Sequence, residues 1–391
     1  MRIENSNITT LDYVVVLLFL VISGNPITVF TSDWLYIIVS VILVIISLST
    51  KKKISDNFLF RWMMGFVFVF ICQAAVGELV SIPADINFLS KIYSCFLVAS
   101  ILGVKFRYVY MRVMVLLSLI SLPLFFINYI GIEFSGIRFD RYVSLVLYNY
   151  IPRSQFIDMR NAGMFWEPGA FQGYILLVPL LYTNSIQQFY KTYKKESFIL
   201  FLALLSTMST TGYLTFGVFI FLVLFKNVKN PFLRVVSIVS IICISMWMFN
   251  SLDFMGGKIV SEYNNAMSMS NGDISWTRMG SAQIDLLNIA RHPIIGNGFI
   301  MDQKYPGIGE LMAGAGNGFT GVINSFGIPL MLMFFITIYR NAPSEKSYFK
   351  LVFLVIYIML LNGEYFLNYP FFWIVIFLIY PSNRNFMYIK G

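Results

Sequence analysis

Residues 160–177 read RNAGMFWEPGAFQGYILL, and the passage from a polar, Arg-bearing loop into an apolar run sets how the rest of the chain is read. Pro168 suits the first position of a helix, where its missing N–H would be unpaired in any case. Glu167 just ahead of it sits at the positive end of the helix dipole. Arg153 and Arg160 upstream supply fixed positive charge, while Gly163, Gly169 and Gly173 permit close backbone approach. Two readings follow. One is a pocket at a membrane surface that holds an anion; the other is a capped helix preceded by a structured loop.

Working outward, most of the remaining chain reads as lipid-buried helix. Of 391 residues, 58% are hydrophobic and only 12% charged. Soluble domains carry about a quarter charged residues, so the composition predicts an all-α polytopic membrane protein. The long unbroken apolar runs favour helices over an alternating barrel. The first run, 11–30, lacks a small-residue cleavage site and predicts a span, not a cleaved signal. About twelve spans are expected, at 11–30, 34–50, 58–77, 86–104, 110–131, 168–184, 197–210, 212–226, 232–250, 315–339, 347–365 and 368–381. They form one transmembrane domain over residues 1–391.

The net charge of +9 invites a nucleic-acid reading, but its distribution argues against one. With the N-terminus in the cytoplasm, the inner connections collect 19 of the 28 Lys and Arg residues and 5 of the 19 Asp and Glu residues. That is the positive-inside pattern, with both termini cytoplasmic. The basic balance reflects orientation in a membrane, and no nucleic-acid partner is expected. Cys72, Cys95 and Cys243 fall inside apolar segments and lack metal-ligand spacing.

Two outer connections, 132–167 and 251–314, break the pattern of short loops. Loops this long are usually functional. The first contains a Tyr-rich stretch, 142–151, expected to lie at the interface. The second contains TRMGSAQIDLLNIARHPIIGNGF from Thr277, whose spacing predicts a helix over 278–290 with Ile284, Leu287 and Ile289 on an apolar face. Arg278 would stand at its start and Arg291 at its end. His292 is the single histidine; beside Pro293 it reads as a turn residue or as a general base.

Several chemistries are excluded by absence. The chain has no Asp-x-Asp pair, no P-loop, no His-Glu-x-x-His helix and no Cys/His cluster, so no metal site or cofactor is expected. What remains is an outer-face pocket of arginines, a few carboxylates, one imidazole and aromatics such as Phe165, Trp166, Tyr305 and Phe319. Arginine's planar fork suits diphosphate.

Three stretches, taken in order, resemble the O-antigen polymerase and O-antigen ligase superfamily of bacterial inner-membrane glycosyltransferases. They are 160–177, the Ser/Thr-rich LSTMSTTGYLTFGVFIFL at 205–222, and 277–299 with AGNGFTGVINSFGIPLML behind it at 315–332. The resemblance implies a GT-C-like, metal-independent enzyme in the bacterial inner membrane. It would use undecaprenyl-diphosphate-linked oligosaccharide repeat units at the periplasmic face, with membrane lipid and a chain-length regulator protein as partners. The polymerase branch moves the growing glycan from its lipid diphosphate onto the next lipid-linked repeat unit. The ligase branch is expected to carry a histidine before an Asn at the entry to the span after the large loop; here the positions read Gly316-Asn317, which favours polymerase. A flippase is the rival from another class.

Under this resemblance Arg153, Arg160, Arg278 and Arg291 are expected to hold diphosphate, with Trp166 and Asn317 on the glycan. Glu167 and His292 are the candidate general bases. The competing reading pairs each arginine structurally with Asp140, Asp158 or Asp285, and makes Glu167 a helix-dipole or Arg-paired carboxylate.

Overall fold

In a computed structural model, the described residues are 8–29, 34–77, 80–139, 142–152, 159–183, 186–227, 278–306, 317–344 and 346–378, with isolated positions between 230 and 264. The chain is mostly helical. Its main helices are α1 (Thr10–Ile22), α2 (Trp34–Ser49), α3 (Asn57–Val76), α4 (Ile82–Leu102) and α5 (Phe106–Tyr129). They continue with α6 (Pro168–Leu180), α7 (Ile186–Thr192), α8 (Lys194–Ser206), α9 (Thr210–Asn227), α10 (Arg278–Ile289) and α11 (Gly318–Phe326). The last are α12 (Ile328–Asn341), α13 (Ser347–Gly363) and α14 (Pro370–Leu378).

Among the described residues, two stretches are long and apolar enough to cross a membrane, Asn57–Val76 and Ile82–Tyr129. The second is broken by the 3-10 turn Gly103–Lys105 into α4 and α5. Six further apolar helices are shorter. The expected first span ends early, at Ile22, where Ser23 to Asn25 turn the chain. The expected span 315–339 is two helices: Gly327 adopts φ +81°, and a side chain there would overlap the carbonyl of Ile294. A left-handed residue cannot continue a helix, so α11 and α12 part at that point. The expected span 232–250 is described only at isolated positions, which are helical.

α14 is buried at every position and packs on α1, α4 and α12. Around it sits an aromatic knot: Trp373 lies 4.7 Å from Phe334 and 5.6 Å from both Phe66 and Phe88, centroid to centroid. Edge-on and tilted pairs of this kind add to area burial. The outer surface is apolar too. Ile38, Ile45 and Leu48 on α2 and Phe60, Phe68 and Ile71 on α3 are all more than half exposed.

The first long connection holds a three-stranded antiparallel sheet, β1 (Ile137–Phe139), β2 (Tyr142–Ser144) and β3 (Asn149–Tyr150), with Val143 opposite Arg138 and Tyr150. The Tyr-rich stretch read as an interfacial segment is therefore the β2–β3 hairpin. Phe125, Val143, Tyr148 and Tyr150 make a small core of their own beneath it.

Candidate functional site

The loop of residues 160–167 is pinned before it reaches α6. Asn161 donates to Ser206 Oγ at 2.9 Å and to Ser121 Oγ at 3.2 Å. Asn25 donates to the Met164 carbonyl at 3.0 Å, and the Trp166 amide donates to the Gly24 carbonyl at 3.0 Å. Phe165 is fully buried, stacked on Tyr174 with centroids 4.2 Å apart. Trp166 packs on Tyr369 at 4.6 Å and edge-on to Phe366. Its indole is thus engaged by the chain's own rings.

This anchoring fixes Glu167 at the N-cap position of α6, with Pro168 first in the helix. The Glu167 side chain does not cap its own helix. It faces Arg278 at the start of α10, Oε1 to Nη2 3.3 Å. The same guanidinium nitrogen is bound by Glu364, the C-cap residue of α13. Arg278 Nη1 donates to Thr211 Oγ1 in the first turn of α9 at 3.3 Å. Four helix ends, two from the long connections and two from short ones, therefore meet at one guanidinium. The pair is only partly wet: the side chains of Arg278, Glu167 and Glu364 are 24%, 28% and 8% exposed. Gly169 is required at the contact, because a Cβ there would overlap Glu364 Oε1.

On the other side of Glu167 a cleft of about 60 Å³ opens, lined by Arg160, Asn128 and the tyrosines 142, 148 and 150 of the small sheet. Burial pushes the Tyr148 phenol above its usual value, so it stays a neutral hydrogen-bonding ring. Arg160 and Glu167 thus share a cavity, and Glu167 joins that cavity to Arg278.

Behind Arg278, α10 is locked onto α11 through Asp285. Its carboxylate accepts from Tyr305 Oη at 2.6 Å, Thr320 Oγ1 at 2.6 Å and Asn324 Nδ2 at 2.9 Å. Burial, and then the facing carboxylate, push the Tyr305 phenol far above its usual value. Lys304, buried, donates to the Gly321 carbonyl, Ser325 Oγ and Tyr365 Oη. Tyr365 is the residue that follows Glu364 in the chain.

The expected helix over 278–290 is present as α10, but Leu287 is 73% exposed and does not join its buried face. The buried positions are Gly280, Ser281, Ile284, Asp285, Asn288 and Ile289: Asp285 holds the inner face through side-chain hydrogen bonds, and the Asn288 carbonyl accepts from Asn297 Nδ2 at 2.9 Å, where an apolar stripe was expected. Arg291 lies exposed past the end of α10, about 20 Å from Arg278 at 1.5 Å per residue. His292 is half-buried in the following turn, where its carbonyl accepts from the Gly296 amide. Asn317 caps α11, accepting from the Phe319 and Thr320 amides at 3.0 and 3.1 Å. Arg153, Asp140 and Asp158 fall outside the described residues. Asp285 pairs with hydroxyls and an amide, so Arg278 takes Glu167 and Glu364 instead.

Glu364 and Thr211 are the residues that sequence reasoning missed. Glu364 stood in a short outer connection with no motif; its one signal was being a carboxylate at the outer mouth of a span. Among the described residues no group of three or more His, Cys, Asp or Glu side chains is placed to hold a metal ion. Comparison with protein-family models, curated proteins and solved structures finds no match.

Proposed function

We propose that the chain is a polytopic inner-membrane glycosyltransferase of the polysaccharide-polymerase type, acting at the periplasmic face on polyprenyl-diphosphate-linked glycans. The observation that carries this reading is Arg278, held between Glu167 and Glu364 where both long connections meet, beside an aromatic cleft containing Arg160. The apolar outer faces of α2 and α3 support membrane placement, since a water-facing surface of that composition would aggregate.

The chemistry follows from the charges. A donor diphosphate entering the cleft competes with the carboxylates for Arg278 and draws on Arg160. An acceptor hydroxyl gives its proton to Glu167 or Glu364, and its oxygen bonds to the anomeric carbon. The carbon–oxygen bond to the diphosphate breaks, and the leaving oxygen's charge falls on the guanidinium. A fixed guanidinium in a poorly hydrated pocket is preorganised for that charge, and losing one such donor costs about 10²–10³ in rate.

The test is genetic. Deleting the gene and running surface polysaccharide on a gel should leave lipid A-core bearing a single repeat unit. Bare core with long chains retained on the carrier lipid would assign a ligase instead. Loss of all exported repeat units would assign a flippase.

A further inference from the structure

A second cavity among the described residues is of opposite character to this site. It is a groove of about 360 Å³ between α6, α7, α8 and α9, walled by side chains such as Leu176, Phe189, Leu200, Leu204, Phe219 and Val223. We infer that it holds one acyl chain of an anionic phospholipid, with Lys191 and Lys194 at its mouth receiving the phosphate headgroup.

Helical phase puts the charges there. Gln187 on α7 and Ser197 on α8 line the groove. Lys191 follows Gln187 by four residues, and Lys194 precedes Ser197 by three, so each lysine continues a groove-lining stripe. Both lysines are exposed, as is Lys195 beside them. The nearby carboxylate, Glu196, is bound by Arg112 at 2.8 Å and leaves the lysine charge for another anion. An apolar slot with a cationic rim is complementary to a lipid that pairs an acyl chain with a phosphate.

Depth selects the same occupant. The groove-lining residues on α8 run from 197 to 204 and on α9 from 216 to 223. At 1.5 Å per residue each stripe covers about 10 Å. One leaflet's hydrocarbon is about 15 Å, half the bilayer core. The slot therefore takes about two thirds of a leaflet-length chain, the part nearest the headgroup, at the basic end of the helices. It starts on α6 at Ile175, below the Glu167 end, with the lysines at the opposite end.

This inference rests on the membrane placement proposed above, not on the transfer reaction. The experiment uses the full chain purified in mild detergent, probed by native mass spectrometry and thermal shift with phosphatidylglycerol or phosphatidylethanolamine of identical acyl chains. Phosphatidylglycerol should be retained and raise the melting temperature; phosphatidylethanolamine should do neither. Replacing the exposed pair, Lys191→Gln with Lys194→Gln, should weaken phosphatidylglycerol binding about 30-fold, at roughly fivefold per lysine near an anionic headgroup. A groove-filling Leu204→Trp should abolish retention with the lysines intact. Equal binding of the two lipids, or lysine variants that bind phosphatidylglycerol unchanged, would overturn the proposal. A lipid-free dimer broken by Leu204→Trp would assign the groove to a second copy and overturn it too. A chain recovered in the soluble fraction would sink the membrane placement itself.

Discussion

The Arg278 cluster makes one prediction that separates a catalytic guanidinium from a structural one. Replacing Arg278 by alanine leaves Glu364, with a side chain only 8% exposed, beside Glu167 without their shared counter-charge. Breaking a buried ion pair from one side costs about 3–5 kcal/mol. Glu167 and Arg278 are about a quarter exposed, so solvent screening brings the expected loss below that range, to about 2–3 kcal/mol. The melting temperature of the purified protein should fall measurably. Adding Glu364→Ala to Arg278→Ala removes the stranded carboxylate and should recover most of that loss, a coupling visible in a double-mutant cycle. Chain elongation should not recover: the double variant lacks both the charge acceptor and one proton acceptor, and should stay at least about 10²-fold down. The assays are thermal shift and the length distribution of surface polysaccharide, at matched protein levels. A double variant that regains both stability and long chains would refute the catalytic reading and leave a purely structural ion pair.

Other expectations can be checked with the same two assays. Gly169→Ala should displace Glu364 from Arg278 and abolish elongation, whereas Leu287→Ala on the exposed side of α10 should be near neutral in both. Asn317→Ala removes the cap of α11 and should cost about 1 kcal/mol while elongation persists, because its side chain is spent on backbone amides. For Tyr305, whose phenol is raised above its usual value of 10.0, stabilisation is complete below about pH 10. It is lost as pH rises further, since the unfolded chain ionises first. Tyr305→Phe should flatten that decline in a thermal-shift series from pH 9 to 11.

The sequence exposed the parts of the site governed by local rules. Pro168 starting α6 and a helix over 278–290 both follow from helix chemistry, and both elements appear in the structure, though not with Leu287 on the buried face. What pairing those parts adopt was not legible, because it depends on α13 lying against α6, a tertiary contact that no short window encodes. Hence Glu364 passed unnoticed. Arg291 had the right residue type and the right loop, but twelve residues of straight helix carry it away from Arg278. The strands of the small sheet are two or three residues long, too short for an alternating pattern to show. The break at Gly327 was hidden inside a continuous apolar run, where a glycine alone does not announce a left-handed backbone.

The most direct measurement is reconstitution. Purified protein in liposomes, given polyprenyl-diphosphate-linked repeat units and excess chelator, should build a ladder of longer lipid-linked glycans, and Arg278→Ala should not. A ladder of the same length and yield from Arg278→Ala, or none from the intact protein, would contradict the account.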